Sequence, residues 1–223
     1  MSPVADLFNK IAPVYDNLND ALSLGLHRVW KKMVLGWAAP KPGELWLDLC
    51  CGSGDMAILL ARSGATVIGV DFAPCQLAIA QRKGRNLPNL SWEEGDVLHL
   101  RFPDRSVDGV TMTYGLRNLA DVRQGLQEIY RVLNTPGRAV ILDFHRPYNP
   151  VLAGFQRWYL RTIVVPTARQ FHLESEYAYL EPSLQKFPQG REQIQLAQQV
   201  GFRDIKHYPI VGGMMGILYL NKT

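Results

Sequence analysis

The segment Glu44-Leu45-Trp46-Leu47-Asp48-Leu49-Cys50-Cys51-Gly52-Ser53-Gly54-Asp55 runs an apolar stretch into a carboxylate and then into a glycine turn. Leu45 to Leu49 are expected as a short buried strand. Gly52 and Gly54 permit a tight turn and close approach of backbone to a ligand, and Met56 to Ala61 open a helix that stops near Gly64. A second strand, Val67 to Val70, follows and ends in Asp71. Asp48 and Asp71 then stand at the carboxyl ends of neighbouring parallel strands, the edge where open α/β sheets bind ligands.

The alternation continues outward from this unit. Pro74 suits a first helical turn, Cys75 to Lys83 continue it and Gly84 ends it. Further strands are expected near Leu90 to Glu93, at Val107 to Thr113 and at Ala139 to Phe144. Val122, Leu126, Ile129 and Leu133 form a helix face, and Pro136-Gly137 turns the chain. A helix at Glu192 to Val200 and strands near Phe202 to Tyr208 and Met214 to Asn221 close it. The pattern predicts an α/β, Rossmann-like, mostly parallel seven-stranded sheet with helices on both faces.

Gly52-Ser53-Gly54-Asp55-Met56-Ala57 fits a dinucleotide fingerprint, which alone is weak. Electrostatics separate the ligands. A pyrophosphate on this loop would meet Asp48 and Asp55, whereas the cationic amino acid end of S-adenosylmethionine would be attracted by them. The loop therefore favours S-adenosylmethionine over NAD. Asp96, after the third strand, is placed to accept from an adenine amino group.

With 223 residues, 47% hydrophobic and 20% charged, the chain suits one folded domain, 1–223, rather than a disordered segment. Its formal charge of +4 is mild and no long basic run occurs, which argues against nucleic acid and permits attraction to an anionic membrane surface. No apolar run reaches the roughly 18 residues of a membrane span, and Met1 to Asp16 lack a signal or transit pattern. The protein is expected in the cytoplasm, or resting on the cytoplasmic or thylakoid membrane surface. Cys50, Cys51 and Cys75 offer no CxxC spacing, and the histidines no ligand spacing, so no metal is expected.

Residues 1–40 read as an amino-terminal helical lid: turn formers around Tyr15 and Asp16, then Leu26, Val29, Trp30, Met33 and Trp37 at helical spacing. Tyr15 and Asp16 are candidates to fold over the cofactor. Residues 145–190 break the alternation and read as an inserted cap. Phe155, Arg157, Trp158, Tyr159 and Arg161 there suit a lipid-facing patch or a mouth for a prenyl chain, and equally the packing of the cap on the sheet.

Phe8-Asn9-x-Ile11-Ala12-Pro13-x-Tyr15-Asp16, Asn19-Asp20, Gly25-Leu26-His27-Arg28-x-Trp30, Asp48-Leu49-x-x-Gly52-Ser53-Gly54-Asp55 and Tyr114-Gly115-Leu116-Arg117-Asn118 together resemble the ubiquinone/menaquinone biosynthesis C-methyltransferase family. The resemblance covers nearly the whole chain and implies the class I S-adenosylmethionine-dependent methyltransferase fold. It implies cofactor contacts at Ser53, Asp71, Asp96, Val97 and Thr113, with Phe72 beside Asp71. Cys50-Cys51, Leu142-Asp143-Phe144 and Gly212-Gly213-Met214-Met215-Gly216 look most like the branch that methylates demethylphylloquinone. Two stretches depart from the family pattern. Thr135-Pro136-Gly137-Arg138 lacks the usual second glycine, and Asp143-Phe144-His145-Arg146-Pro147 replaces Glu-Phe-Ser-x-Pro.

The implied acceptor is a prenylated naphthoquinol, reduced because a quinone ring is too electron-poor to attack a sulfonium methyl. Transient membrane contact is expected and a homodimer is allowed. Arg117 suits a developing phenolate, and Asn118 can orient a hydroxyl or water. Tyr15, Asp16 and His145 are the candidates for proton handling. The rival readings are an NAD-binding oxidoreductase, a methyltransferase for another small acceptor, and a non-catalytic cofactor-binding scaffold.

Overall fold

The computed structural model describes residues 20, 23, 25–170, 173 and 180–223, so the predicted roles of Tyr15 and Asp16 lie outside the described residues. Helix α1 (Leu26–Ala38) leads into β1 (Leu45–Leu49), α2 (Asp55–Arg62), β2 (Thr66–Asp71), α3 (Pro74–Gly84) and β3 (Leu90–Glu94). β4 (Val107–Thr113), α4 (Val122–Val132) and β5 (Leu133–Phe144) follow. α5 (Pro150–Tyr159) runs through a π turn at Leu160–Val164 into α6 (Val165–Arg169). After α7 (Leu180–Lys186), α8 (Gly190–Val200), β6 (Asp204–Ile210) and β7 (Met215–Lys222) close the described chain. None of the described helices is long and apolar enough to cross a membrane.

The seven strands lie in the order β3-β2-β1-β4-β5-β7-β6, with β7 antiparallel to both neighbours and the other pairings parallel. The chain reverses direction across the sheet between β1 and β4, and that switch point opens a crevice at the carboxyl edge. Strand alternation sends Leu47 and Leu49 to a core face shared with α4 and α8. Trp46 goes to the other face, shared with α1 and α2. Gly109 is required beside Trp46, because a Cβ there would lie 2.4 Å from the indole ring.

Two elements differ from expectation. In α1 the buried residues are His27, Val34 and Ala38, while Leu26, Val29 and Met33 are exposed. The helix is docked by a narrow stripe against β5 and α2, and Trp37 leans sideways onto Tyr208, 4.2 Å between ring centroids. Residues 26–38 therefore belong to the packed scaffold rather than to a lid. β5 also starts earlier than Ala139. Leu133 pairs with Val107 and Arg138 with Gly109, so Pro136-Gly137 sits in an irregularity within the strand.

Arg138, where the family pattern has glycine, explains why that departure is tolerated. Its guanidinium donates to the Ala38 carbonyl at 2.6 Å, the Ala39 carbonyl at 2.9 Å and Glu44 at 2.8 Å, and lies 4.9 Å from the Trp46 ring centroid. It satisfies carbonyls at the end of α1, a favourable place for a cation.

Candidate functional site

β1 and β4 are each followed by a non-glycine residue in the left-handed region: Cys50 at φ 54° and Tyr114 at φ 65°. Such conformations cost about 1–3 kcal/mol each and persist where the surroundings hold them. Here Gly115 packs directly on Cys50, since a Cβ on Gly115 would lie 2.6 Å from the Cys50 Cβ. The two bends open the crevice between the strands. Above it Gly52, at φ 53°, has the Gln76 Oε1 at 3.9 Å as the closest neighbour a Cβ would meet, so backbone is presented there with room beside it.

Asp71 fastens this loop to β2. Its Oδ2 accepts from the Gly52 N–H at 2.8 Å and its Oδ1 from the Ala73 N–H at 2.9 Å. Burial pushes its carboxyl up, and the backbone donors of Gly52, Ala73 and Phe72 counter that. Three backbone donors leave the carboxylate acceptor capacity for a ribose hydroxyl. Asp96 is exposed and caps the turn Val97–His99 by accepting from the Leu98 N–H at 2.9 Å; Val97 is buried, and Phe72 and Thr113 are half-buried. Ser53 is buried, with Lys83 Nζ 3.2 Å from its Oγ.

The electrostatics of the loop differ from expectation. Asp48 has no accessible surface, so it lies beneath the ligand edge and not in contact with it. Its Oδ1 accepts from Thr111 Oγ1 at 2.7 Å, while Oδ2 is buried with no hydrogen-bond partner among the described residues. Desolvation pushes this carboxyl up to about 7, against the opposing pull of Thr111 and Lys31. Asp55 is paired with Lys31 at 2.9 Å and with Lys83. Burial raises its pKa, but the two lysines outweigh that and hold it at about 2. Asp55 therefore presents no uncompensated negative charge, and its part in repelling a pyrophosphate is withdrawn. Charge alone no longer separates the two cofactors.

On the acceptor side the turn Leu116–Asn118 is held by a residue the sequence reading did not assign. Arg117 Nη1 donates to Asp143 Oδ1 at 2.6 Å and to the Tyr114 carbonyl at 2.7 Å, and the Arg117 N–H donates to Asp143 Oδ2 at 2.9 Å. Both side chains are buried, and the guanidinium lies 5.2 Å from the Phe144 ring centroid. One arm of the guanidinium is thus bound to Asp143, and Nε is buried without a partner among the described residues. Asn118 Nδ2 lies 3.2 Å from the Tyr114 carbonyl. A carboxylate at the end of β5, matching Asp48 on β1 and Asp71 on β2, was the signal that pointed to Asp143.

His145 is also corrected. It is buried, and its Nδ1 donates to the Asp143 carbonyl at 3.1 Å. In the neutral ring Nε2 is then the acceptor, and it takes donors from Gln193 Nε2 at 3.0 Å and His207 Nε2 at 3.1 Å. Burial lowers the pKa of both rings, that of His207 to about 4. With both nitrogens committed, His145 braces the end of β5 and does not carry protons. Cys50 and Cys51 are no nucleophiles either, because burial pushes both thiols well above their ordinary range.

A glycine turn with room over it, a carboxylate at the end of β2 and an exposed acid after β3 fit a nucleoside with an amino acid tail. The fold is that of S-adenosylmethionine-dependent methyltransferases. A solved Thermotoga maritima enzyme described as one matches with a TM-score of 0.68 at 16% identity, over 98% of this chain and 99% of that one. The chain belongs to the ubiE/COQ5 methyltransferase family, whose model matches residues 1–222. The 2-phytyl-1,4-naphtoquinone methyltransferase of Nostoc punctiforme is 54% identical over 98% of both chains. The chloroplastic 2-phytyl-1,4-beta-naphthoquinone methyltransferase of Arabidopsis thaliana is 47% identical over 95% of this chain and 84% of its own. This protein is an S-adenosylmethionine-dependent methyltransferase, and the oxidoreductase and non-catalytic readings fall away.

Proposed function

We propose that this enzyme methylates the ring of 2-phytyl-1,4-naphthoquinol, the reduced form of the acceptor in the names of its relatives. The observation that carries the reading is 54% identity to the Nostoc punctiforme methyltransferase along essentially the full length of both chains. The bound cofactor supplies an electrophilic methyl group on a sulfonium. The acceptor must supply the electron pair, so its ring is the quinol, with one hydroxyl losing its proton as the ortho carbon becomes nucleophilic.

The residues divide the work by strand end. Asp71, Phe72, Asp96 and Val97 hold the nucleoside, Gly52, Ser53, Gly54 and Thr113 line the amino acid end, and Asp48 acts from below by its field. Arg117, pinned by Asp143, offers Nη2 to the developing phenolate, which Asp143 does not engage. Asn118 orients the hydroxyl, and Tyr15 and Asp16 handle the proton. Since the acceptor carries a phytyl chain, the enzyme meets it at a membrane surface.

The test is an assay of purified protein with labelled S-adenosylmethionine and 2-phytyl-1,4-naphthoquinone, with and without a chemical reductant. Methylated naphthoquinone is expected only with reductant. Equal methylation of fully oxidised quinone under air would sink the quinol mechanism. Turnover with reduced benzoquinones but not naphthoquinones would move the substrate class.

A further inference from the structure

Helix α5 is built inside out. Its polar Gln156 is buried and donates to the His145 carbonyl at 2.9 Å, whereas Val151, Phe155 and Trp158 are 76%, 49% and 52% exposed. These three fall at i, i+4 and i+7, so they line one face of the helix, pointing away from the protein core. Phe155 continues into Trp158 and Tyr159, with ring centroids 5.8 and 6.3 Å apart. Tyr148, just before the helix, is 75% exposed.

The turn between β6 and β7 extends the same surface. A Cβ on Gly212 would lie 2.8 Å from Leu152 Cδ1, and one on Gly213 would lie 3.5 Å from Pro147 Cα. Val211, 40% exposed, therefore stands beside the amino end of α5. The segment that bears most of this patch carries charge of one sign, and Glu181 of α7 faces its Arg161 and Arg157. Between His145 and Leu173 there are four arginines and no Asp or Glu. Arg146, Arg157 and Arg161 are all exposed, and Arg161 is tied to Glu181 by bonds of 2.8 and 2.7 Å.

We propose that Tyr148, Val151, Phe155, Trp158 and Val211 form the face by which the enzyme docks on an anionic lipid bilayer, with Arg146 and Arg157 over the lipid phosphates. Aromatic and aliphatic side chains on one helix face flanked by arginines match the boundary between headgroups and acyl chains. A second copy of the chain fits less well, since isologous pairing would bring two acid-free, arginine-bearing segments together. The inference deepens the quinol reading and rests on it for the acceptor being dissolved in a membrane.

The experiment is co-sedimentation of the full chain with phosphatidylcholine vesicles, with and without phosphatidylglycerol, at rising salt. Wild type is compared with the combined Val151→Gln, Phe155→Gln, Trp158→Gln variant and with Arg157→Gln. Titration with S-adenosylhomocysteine checks that each variant is folded. Wild type should bind the anionic vesicles and be released by salt. The triple variant should partition at least about tenfold less, and Arg157→Gln severalfold less. Both should methylate a short-tailed quinol at the wild-type rate. Unchanged vesicle binding by the triple variant overturns the assignment. So does loss of a dimer with vesicle binding intact, which assigns the face to self-association, or loss of turnover confined to long-tailed quinols with vesicle binding intact, which makes it a groove for the prenyl tail. Failure of wild type to methylate any quinol counts against the substrate reading, and vesicle binding still decides this one.

Discussion

The carboxylate of Asp143 grips Arg117 twice, taking Nη1 on one oxygen at 2.6 Å and the backbone N–H on the other at 2.9 Å. The side chain therefore sets both the position of the guanidinium and the path of the Tyr114–Asn118 turn. Removing one partner of a buried ion pair strands the other's charge, which costs about 3–5 kcal/mol. Asp143→Ala should lower the unfolding free energy by that amount in urea titration. Because the pair acts as a unit, Asp143→Ala combined with Arg117→Met should cost less than the two single changes added together. Simple additivity would mean that the clamp is not an energetic unit.

Asp71 joins loop and strand, so its loss should be felt in cofactor binding before stability. Asp71→Ala removes the acceptor for the Gly52 and Ala73 N–H groups as well as the partner for ribose. Hydrogen bonds to a charged group are worth roughly 1.5–3 kcal/mol, so affinity for S-adenosylhomocysteine should fall about tenfold to a few hundredfold. Calorimetric titration reads this directly, and an unchanged dissociation constant in a folded variant would remove Asp71 from the site.

The sheet was legible in the sequence because its strands are short apolar runs bounded by turn residues. Leu45–Leu49 and Val107–Thr113 fall where the pattern puts them. What local pattern could not supply was pairing at a distance. Asp143 meets Arg117 across 26 positions and Lys83 meets Asp55 across 28, and neither contact leaves a mark in the spacing of either residue. The face of α1 failed for another reason. Its apolar periodicity was real, but periodicity does not say whether a stripe faces the core, and Leu26, Val29 and Met33 of that stripe are exposed. In α5 the aromatics suited lipid and core packing equally. Buried Gln156, which reaches the His145 carbonyl, was the inward residue that a hydrophobic count passes over.

His207 should make the fold acid-sensitive. Burial, and then the charge of His145, bring it from an ordinary 6.5 to about 4, so between those values the unfolded chain holds more protons than the folded one. Stability is then lost as pH falls through that window and is unaffected above it. His145 is lowered too and acts in the same direction. His207→Gln, which keeps a donor for His145, should shrink the loss of stability between pH 7 and pH 5 relative to wild type. Parallel stability curves for the two proteins would place the acid sensitivity elsewhere.

Asp48 should do the opposite, and the difference separates its structural cost from its role toward the cofactor. Folded, its carboxyl titrates near 7 instead of 3.8, because desolvation penalises the charged form. The folded state therefore holds the extra proton between those values, and the stability associated with it is present at low pH and lost as pH rises toward 7. Asp48→Asn keeps a side chain able to bond Thr111 while removing the charge. The variant should be more stable than wild type at pH 8, by on the order of a few kcal/mol at most, with the advantage shrinking toward pH 5. Asp48 lies beneath the glycine loop, where on the proposed reading its field acts on the cofactor. Since Asp48 has no accessible surface, its effect on the cofactor's cationic end is through space. Asp48→Asn should accordingly weaken S-adenosylhomocysteine binding by less than about tenfold, a smaller loss than from Asp71→Ala. A variant that is both less stable at pH 8 and unchanged in cofactor affinity would show that Asp48 is held there by its bond to Thr111 alone.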